Sequence, residues 1–244
     1  MKITGIIPAR YGSTRFPGKP LALIGSMTMI ERVYRQAEKS TRLNSIAVAT
    51  DDQRIFDVVN SFGGNVVLTS SAHQTGTERC AEALSLLQLK ADAVINIQGD
   101  EPFLEPSQID RIAELLLNPE VEIATLVRKA TGMEEVLNLN AVKAVMNQIG
   151  HSIYFSRMPI PYYKEQISFE MRNYYIHVGI YGYKSPSLNK IVQLKPSGLE
   201  AAESLEQLRW IDNGYTIHAA FTEATSHAVD TPEDLERLIK TYRL

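Results

Sequence analysis

A single cysteine, Cys80, occurs in 244 residues. One thiol excludes an internal disulfide framework, and no Cys/His spacing suited to zinc is present. Cys80 lies in Thr77-Glu-Arg-Cys-Ala-Glu-Ala-Leu84, a helical pattern with no helper His nearby in sequence. A small buried residue is expected there, not a nucleophile. Positive charge is not in excess either: 25 Lys and Arg stand against 28 Asp and Glu, a net charge of −3. With no polybasic run, nucleic acid is not an expected partner. No apolar run is long enough to span a bilayer, and the strand-like segment from Ile3 to Pro8 is too short for a signal peptide. The expected setting is the cytoplasm, with no membrane partner. Both the Gly-Lys-Ser/Thr phosphate loop of ATPases and the Gly-x-Gly-x-x-Gly dinucleotide fingerprint are missing, which disfavours hydride transfer. Repeats and low-complexity tracts are absent as well.

What is present is an alternation of strand and helix patterns. Strands are predicted at Lys2–Pro8, Ile46–Thr50, Val66–Thr69, Ala93–Ile97 and Ile123–Val127. Helices are predicted at Met29–Lys39, around Ile55–Phe62 with Gly63-Gly64 as its stop, from about Glu78 to Leu89, and around Ile109–Leu116. Such alternation implies right-handed βαβ units and a mostly parallel sheet with helices on both faces. Ligands then belong at the carboxyl ends of the strands. After about residue 140 the rhythm changes. Strands are predicted at Ala141–Met146 and Tyr174–Tyr183, with Tyr154, Phe155, Tyr162 and Tyr163 between them. A helix at Glu200–Trp210 and a strand at Thr216–Phe221 follow, and Thr231-Pro-Glu-Asp234 opens the last helix.

Polar clusters fall where the ligand is expected. Pro8-Ala-Arg-Tyr-Gly-Ser-Thr-Arg-Phe-Pro-Gly-Lys-Pro20 places Arg10, Arg15 and Lys19 within ten residues, with Gly12, Gly18, Ser13 and Thr14 between them. A triphosphate calls for such closely spaced cations, free amides and few bulky side chains. The alternative is a solvated βα loop. In Ile97-Gln-Gly-Asp-Glu-Pro102, Asp100 stands at a strand end, where a carboxylate can hold Mg²⁺ against phosphate oxygens or merely serve a turn. Asp230, before Thr231-Pro232, can complete that metal site or satisfy helix amides, and the residues alone favour the second use. His73-Gln-Thr-Gly-Thr-Glu-Arg79 suits a nucleotide at a helix start, and Thr75 with Glu78 resembles a capping box. Strand alternation puts Tyr175, His177, Gly179, Tyr181 and Tyr183 on one face if no bulge intervenes, for a hydroxyl-rich substrate or for aromatic packing. Glu206 and Gln207 read as helix surface.

Taken in order, IIPARYGSTRFPGKP, ATDD (49–52), HQTGTER (73–79), NIQGDEP (96–102), NAVKAV (140–145), YFSRMPIP (154–161), HVGIYGY (177–183), LEQLR (205–209) and VDTPEDLE (229–236) resemble the 3-deoxy-manno-octulosonate (Kdo) cytidylyltransferases over nearly the whole chain. The resemblance implies an α/β nucleotide-diphospho-sugar transferase fold: a Rossmann-like, mixed but mainly parallel sheet with helices on both faces and a small dimerisation lobe. It implies one domain over 1–244, with a nucleotide-binding part over about 1–130, a sugar-binding and dimerisation part over about 131–225, and a metal loop and helix over about 226–244. It implies CMP transfer from CTP to Kdo for lipopolysaccharide synthesis, a homodimer, and Mg²⁺ as cofactor. Carried onto this chain, Arg10, Ser13, Arg15 and Lys19 hold the triphosphate, and Thr75, Gly76 and Arg79 surround the cytidine. Asp100 and Asp230 ligate magnesium, with Arg10, Lys19 and Asp100 the catalytic groups. Gln98, Arg157, His177, Tyr181, Glu206 and Gln207 meet the sugar acid. The alternatives are a synthetase for 8-amino-Kdo or a sialic-type acid, and a non-catalytic nucleotide-binding homologue.

Overall fold

The structure is a computed structural model that describes residues 1–88, 90–165, 167–224 and 227–242. The chain divides into two compact units: Met1–Ala113 with Ala224–Leu244, and Glu114–Glu223.

In the first unit, β1 (Ile3–Ala9) leads to a two-residue hairpin of β2 (Leu23–Ile24) and β3 (Met27–Thr28), then α1 (Met29–Ala37). β4 (Ser45–Thr50), α2 (Gln53–Ser61), β5 (Val66–Leu68), α3 (Gly76–Leu86) and β6 (Ala93–Asn96) follow, and α4 (Pro106–Leu117) starts in this unit. The strands run in the order β5-β4-β1-β6, all parallel, with Ile6 opposite Ala47 and Asn96. A parallel sheet covered on both faces needs strands that are apolar on both sides. β1, β4 and β6 meet that need: Ile6, Ile7, Val48, Ala49, Val94 and Ile95 are fully buried. α1 buries Met29, Ile30, Val33, Tyr34 and Ala37 from one stripe.

α3 starts two residues before the predicted Glu78. Thr75 Oγ1 accepts the Glu78 amide while the Glu78 carboxylate accepts the Thr75 amide, so both ends of a capping box are made and Gly76 is the first helical residue. The predicted end of this helix, Leu89, lies outside the described residues, as do Thr225, Ser226, Arg243 and Leu244, where the sugar-binding and metal-loop parts were expected to end or begin.

In the second unit, β7 (Ile123–Lys129) and α5 (Met133–Leu137) precede β8 (Lys143–Met146), β9 (His151–Ser156) and β10 (Tyr175–Lys184). α6 (Ser185–Ile191), α7 (Gly198–Glu203), α8 (Gln207–Asp212) and β11 (Ile217–Phe221) complete it. The strand order is β10-β7-β11-β9-β8, and β8 pairs again with β10, closing the ring of strands. Only β7 and β11 are parallel; the other pairings are antiparallel. The parallel expectation thus describes the first unit, and the mixed part of the sheet lies in the second.

Three local expectations are corrected here. Tyr154 and Phe155 do not lie in a connecting stretch but in β9, paired with β8 across a turn in which Asn147 Oδ1 accepts the Ile149 and His151 amides. The helix predicted over Glu200–Trp210 is broken. Ser204 adopts a left-handed conformation, φ 53°, and ends α7. β10 carries a bulge between Val178 and Tyr181. Gly179 and Ile180 are the two extra residues, and an even insertion keeps the alternation in phase. The His177, Tyr181 and Tyr183 rings consequently remain neighbours despite the bulge: His177–Tyr181 centroids lie 5.2 Å apart and Tyr181–Tyr183 6.0 Å.

The last helix, α9 (Pro232–Tyr242), returns to the first unit. Its Leu235, Leu238 and Ile239 pack with Phe16, Ile24, Met29, Phe103 and Val229.

Candidate active site

Loops from the carboxyl ends of β1 and β6, the start of α3 and the entry to α9 surround a cleft of about 260 Å³. Arg10, Ser13, Arg15, Lys19, Thr75, Gly76, Arg79, Gln98, Asp100 and Asp230 all line it. Residues drawn from four separate stretches of sequence therefore meet at one place.

The loop after β1 is shaped by Gly18. Its φ of 71° is left-handed, and a Cβ there would approach the Tyr11 ring to 3.1 Å. Gly18 donates its amide to the Tyr11 carbonyl at 3.0 Å and caps a 3₁₀ turn over Lys19–Leu21. That turn aims Lys19 inward. Its ammonium donates to Asp100 Oδ2 at 2.7 Å and to the Val229 carbonyl at 2.8 Å, and stands 3.8 Å from Asp230 Oδ1. Arg15 reaches Asp230 Oδ1 from the exposed side at 3.1 Å. Arg10 is exposed at the mouth. Ser13 Oγ accepts the Phe16 amide and holds the loop's bend.

Asp100 is placed by the tight approach of its neighbour Gly99 to β1. A Cβ on Gly99 would lie 2.7 Å from the Pro8 carbonyl oxygen, so this position has no room for a side chain. The sequence reading passed over Gly99; a glycine just after a buried strand was the available signal. The Val229 amide donates to the Asp100 carbonyl at 2.9 Å, which pins the Asp230 loop to the Asp100 loop.

Asp230 is not the helix cap that its position before Thr231-Pro232 suggested. The Asp230 and Thr231 amides both donate to Asp234 Oδ2 at 3.1 Å, and Asp234's own amide donates to Thr231 Oγ1. With capping done by Thr231 and Asp234, the Asp230 carboxylate turns to Lys19 and Arg15. Asp100 and Asp230 are two hard oxygen donors around one cationic position. This is a donor set that magnesium accepts, since it takes one or two carboxylates together with phosphate and water oxygens. No cluster of three or more His, Cys, Asp or Glu suited to a metal occurs among the described residues.

Arg79 lines the cleft but its guanidinium is engaged inward. It donates to Asp51 Oδ2 at 2.8 Å and Thr69 Oγ1 at 2.6 Å and is 4% exposed. A buried charge needs such partners. His73, also at the cleft, pairs through Nε2 with Glu82 at 2.6 Å.

The remaining expected site residues belong to the second unit. The His177 ring is packed by Phe155 and Tyr181, and burial pushes its imidazole down to about 3. It is therefore neutral near pH 7. Thr125 Oγ1 lies 2.9 Å from His177 Nε2 and 2.9 Å from the Ile180 carbonyl, to which it can donate. The Tyr181 hydroxyl is buried without a hydrogen-bond partner, and burial, then the nearby Glu206 charge, raises it well above its ordinary value. Trp210 on α8 packs edge-on to Tyr181 and Tyr183, at 5.1 and 5.6 Å. Glu206 immediately precedes α8 and Gln207, 6% exposed, opens it.

Arg157 ties main chain together. Nε donates to the Glu203 carbonyl at 2.8 Å, Nη1 to Leu139 at 3.1 Å and Nη2 to Ser204 at 3.3 Å. Glu203 in turn accepts from the Arg157 amide and Ser156 Oγ. Lys143, fully buried, donates to the Asn138 and Arg157 carbonyls. The break between α7 and α8, which orients Glu206 and Gln207, is held by this network.

A family model described as Cytidylyltransferase matches residues 4–217. The chain is 47% identical to a 3-deoxy-manno-octulosonate cytidylyltransferase of Cytophaga hutchinsonii, over 99% of this chain and 98% of the relative. It is 46% identical to one of Parabacteroides distasonis, over 98% of this chain and 97% of the relative. Among solved structures, a CMP:2-keto-3-deoxy-manno-octonic acid synthetase complexed with CTP superposes with a TM-score of 0.93 at 38% identity, covering 100% of this chain and 99% of that one.

Proposed function

The chain belongs to the cytidylyltransferase family, among the 3-deoxy-manno-octulosonate cytidylyltransferases, and from that membership we propose how its residues divide the reaction. Its fold is that of the nucleotide-diphospho-sugar transferases. It transfers CMP from CTP to the C2 hydroxyl of Kdo, giving CMP-Kdo and pyrophosphate. The product is activated Kdo, which we place in lipopolysaccharide biosynthesis. No helix among the described residues is long and apolar enough to cross a membrane. We assign the reaction to the cytoplasm.

The observation that carries the mechanism is the Lys19 ammonium standing between the Asp100 and Asp230 carboxylates in the cleft. Arg10, Ser13 and Arg15 take the triphosphate, with Thr75 and Gly76 against the cytidine and Arg79 shaping that wall through Asp51. The sugar hydroxyl forms its bond to the α-phosphorus as the bond to the β-phosphate oxygen breaks, and the hydroxyl proton is released. Negative charge grows on the departing pyrophosphate, where a fixed cation is worth most. Lys19 supplies that charge. Asp100 and Asp230 would hold magnesium once the Lys19 ammonium that pairs with both moves toward the phosphates. When bound, magnesium lowers the cost of bringing an anionic sugar acid to a triphosphate. Gln98, Arg157, Glu206 and Gln207 position the sugar acid. His177 and the partnerless Tyr181 hydroxyl suit sugar hydroxyls; the Tyr181 hydroxyl lacks a hydrogen bond that such a ligand provides.

We assign a homodimer as well. The second unit exposes Ile149, Ile153, Met158, Tyr162 and Met171 by 54–85%, apolar area that a second copy would cover.

A pyrophosphate-release assay with CTP and a panel of Kdo, 8-amino-Kdo and a sialic acid tests the assignment. Release with Kdo above the others is expected. CTP binding with no release for any of them overturns it.

A further inference from the structure

Two loops carry the proposed magnesium ligands, and both touch α9. Asp230 lies two residues before its first residue, Pro232, and its amide is bonded to Asp234 in the first helical turn. Any rotation of α9 therefore moves the Asp230 carboxylate. At the other end of the helix, the Tyr242 ring stacks on Phe103 with centroids 3.8 Å apart and planes 3° from parallel. Phe103 is three residues beyond Asp100, in a turn closed by the Leu104 amide to the Glu101 carbonyl at 3.0 Å. The Arg32 guanidinium, held by the Ile24 carbonyl, lies 5.7 Å from the Phe103 ring centre.

α9 thus meets the Asp100 loop at its entry through the Val229 amide on the Asp100 carbonyl, along its flank where Leu235, Leu238 and Ile239 pack in one cluster with Phe103, and at its exit through the aromatic stack. Eleven helical residues, about 16 Å, separate the ends of the helix. The stack adds a contact of fixed geometry at the far end of the helix. The cluster of Leu235, Leu238 and Ile239 holds its flank but is not directional in the same way.

We propose that Tyr242, through its stack on Phe103, is a positioning residue that fixes the separation of Asp100 and Asp230 for the divalent ion. This rests on the magnesium reading above. The ring of Tyr242 stacks on Phe103, which is assigned to no substrate, and the residue is 41% exposed, so its truncation is expected to leave the nucleotide-binding loops intact.

The test uses the full-length protein with CTP, and Mn²⁺ as a spectroscopic probe of divalent binding by electron paramagnetic resonance. Tyr242→Ala is expected to weaken Mn²⁺ binding to the CTP-bound protein about five-fold, the scale of one lost aromatic pair. CTP binding in EDTA stays within about two-fold of the parent. Tyr242→Phe, which keeps the stack, restores Mn²⁺ affinity. If Tyr242→Ala lowers expression of folded protein, Tyr242→Leu keeps apolar bulk without the stack and carries the same expectation. Unchanged Mn²⁺ affinity in these variants, or an equal loss of CTP binding in EDTA, overturns the proposal. Asp230→Asn separates the two levels. If it too leaves Mn²⁺ binding unchanged, the magnesium reading fails. If it abolishes binding while Tyr242→Ala does not alter it, only the positioning role fails.

Discussion

Lys19 is the residue on which the chemistry turns, because one ammonium serves two carboxylates and a carbonyl at 2.7–3.8 Å. Lys19→Ala and Asp100→Asn are each expected to lower kcat by about 100-fold or more, roughly 3 kcal/mol in the barrier, in the pyrophosphate assay at saturating CTP and magnesium. Near-parental turnover of Asp100→Asn would remove that carboxylate from the reaction. Gly99→Ala is expected to raise KM for CTP and lower the melting temperature, since the methyl group meets the Pro8 carbonyl, which is backbone and cannot rotate aside. Thermal denaturation and initial-rate kinetics read both effects. His177 contributes a pH dependence. Its ordinary value of 6.5 in the unfolded chain falls to about 3 when buried, so between these limits the unfolded state binds the extra proton. The stability it confers is complete above about pH 6.5 and is lost as pH falls toward about 3. In His177→Gln, urea-unfolding free energies should fall less steeply over that window than in the parent. At this scale Asp230 shows why sequence stopped short. A carboxylate before Thr-Pro can satisfy helix amides or hold a metal, the residues alone favour the first use, and only the position of Asp234 releases it from that use.

Among elements, the break between α7 and α8 has the clearest consequence. Ser197 caps α7 by a complete capping box with Glu200, and Glu200 also receives Arg209 of α8 at 2.6 and 2.7 Å. Ser197→Ala is expected to cost about 1 kcal/mol of stability and to raise KM for the sugar acid more than KM for CTP. Equal KM values in the variant would mean that α7 does not govern α8. Helical periodicity alone ran these two helices together, because Leu205 and Leu208 continue the apolar stripe through Ser204. A left-handed Ser is held by tertiary bonds, here those of Arg157 and Glu203, which no local pattern encodes. β9 was missed for a different reason. Its Ile153, Tyr154 and Phe155 favour a strand and Asn147 and Gly150 mark the turn before it, but exposed Ile153 beside buried Ser152 inverts the apolar alternation that identifies a half-buried strand. The helices of the first unit were legible because Thr75, Asp52 and Gly63 mark their ends with local chemistry.

The whole chain, at 27.3 kDa, is expected to run at twice that mass in light scattering, and Ile153→Glu to shift it toward the monomer. A monomeric parent would withdraw the dimer. Chelation of divalent ions is expected to abolish pyrophosphate release while leaving the fold intact by circular dichroism, since the described residues hold no cluster of three or more ligands of the kind that closes a core around a metal. At this scale the ordered motifs determined most of what the protein is. They identified the family, the cationic loop after β1, and the strand ends where a nucleotide binds, because βαβ periodicity and glycine-bearing turns are local and leave local marks. The tertiary structure decided which of those side chains are spent inward, as Arg79 is on Asp51 and Arg157 on main-chain carbonyls, and which are released, as Asp230 is. It also brought Lys19, Asp100 and Asp230 into one cluster of charges, across as many as 211 residues of chain (230 − 19). A side chain's partners at that distance depend on how loops pack, and spacing along the chain carries no record of it.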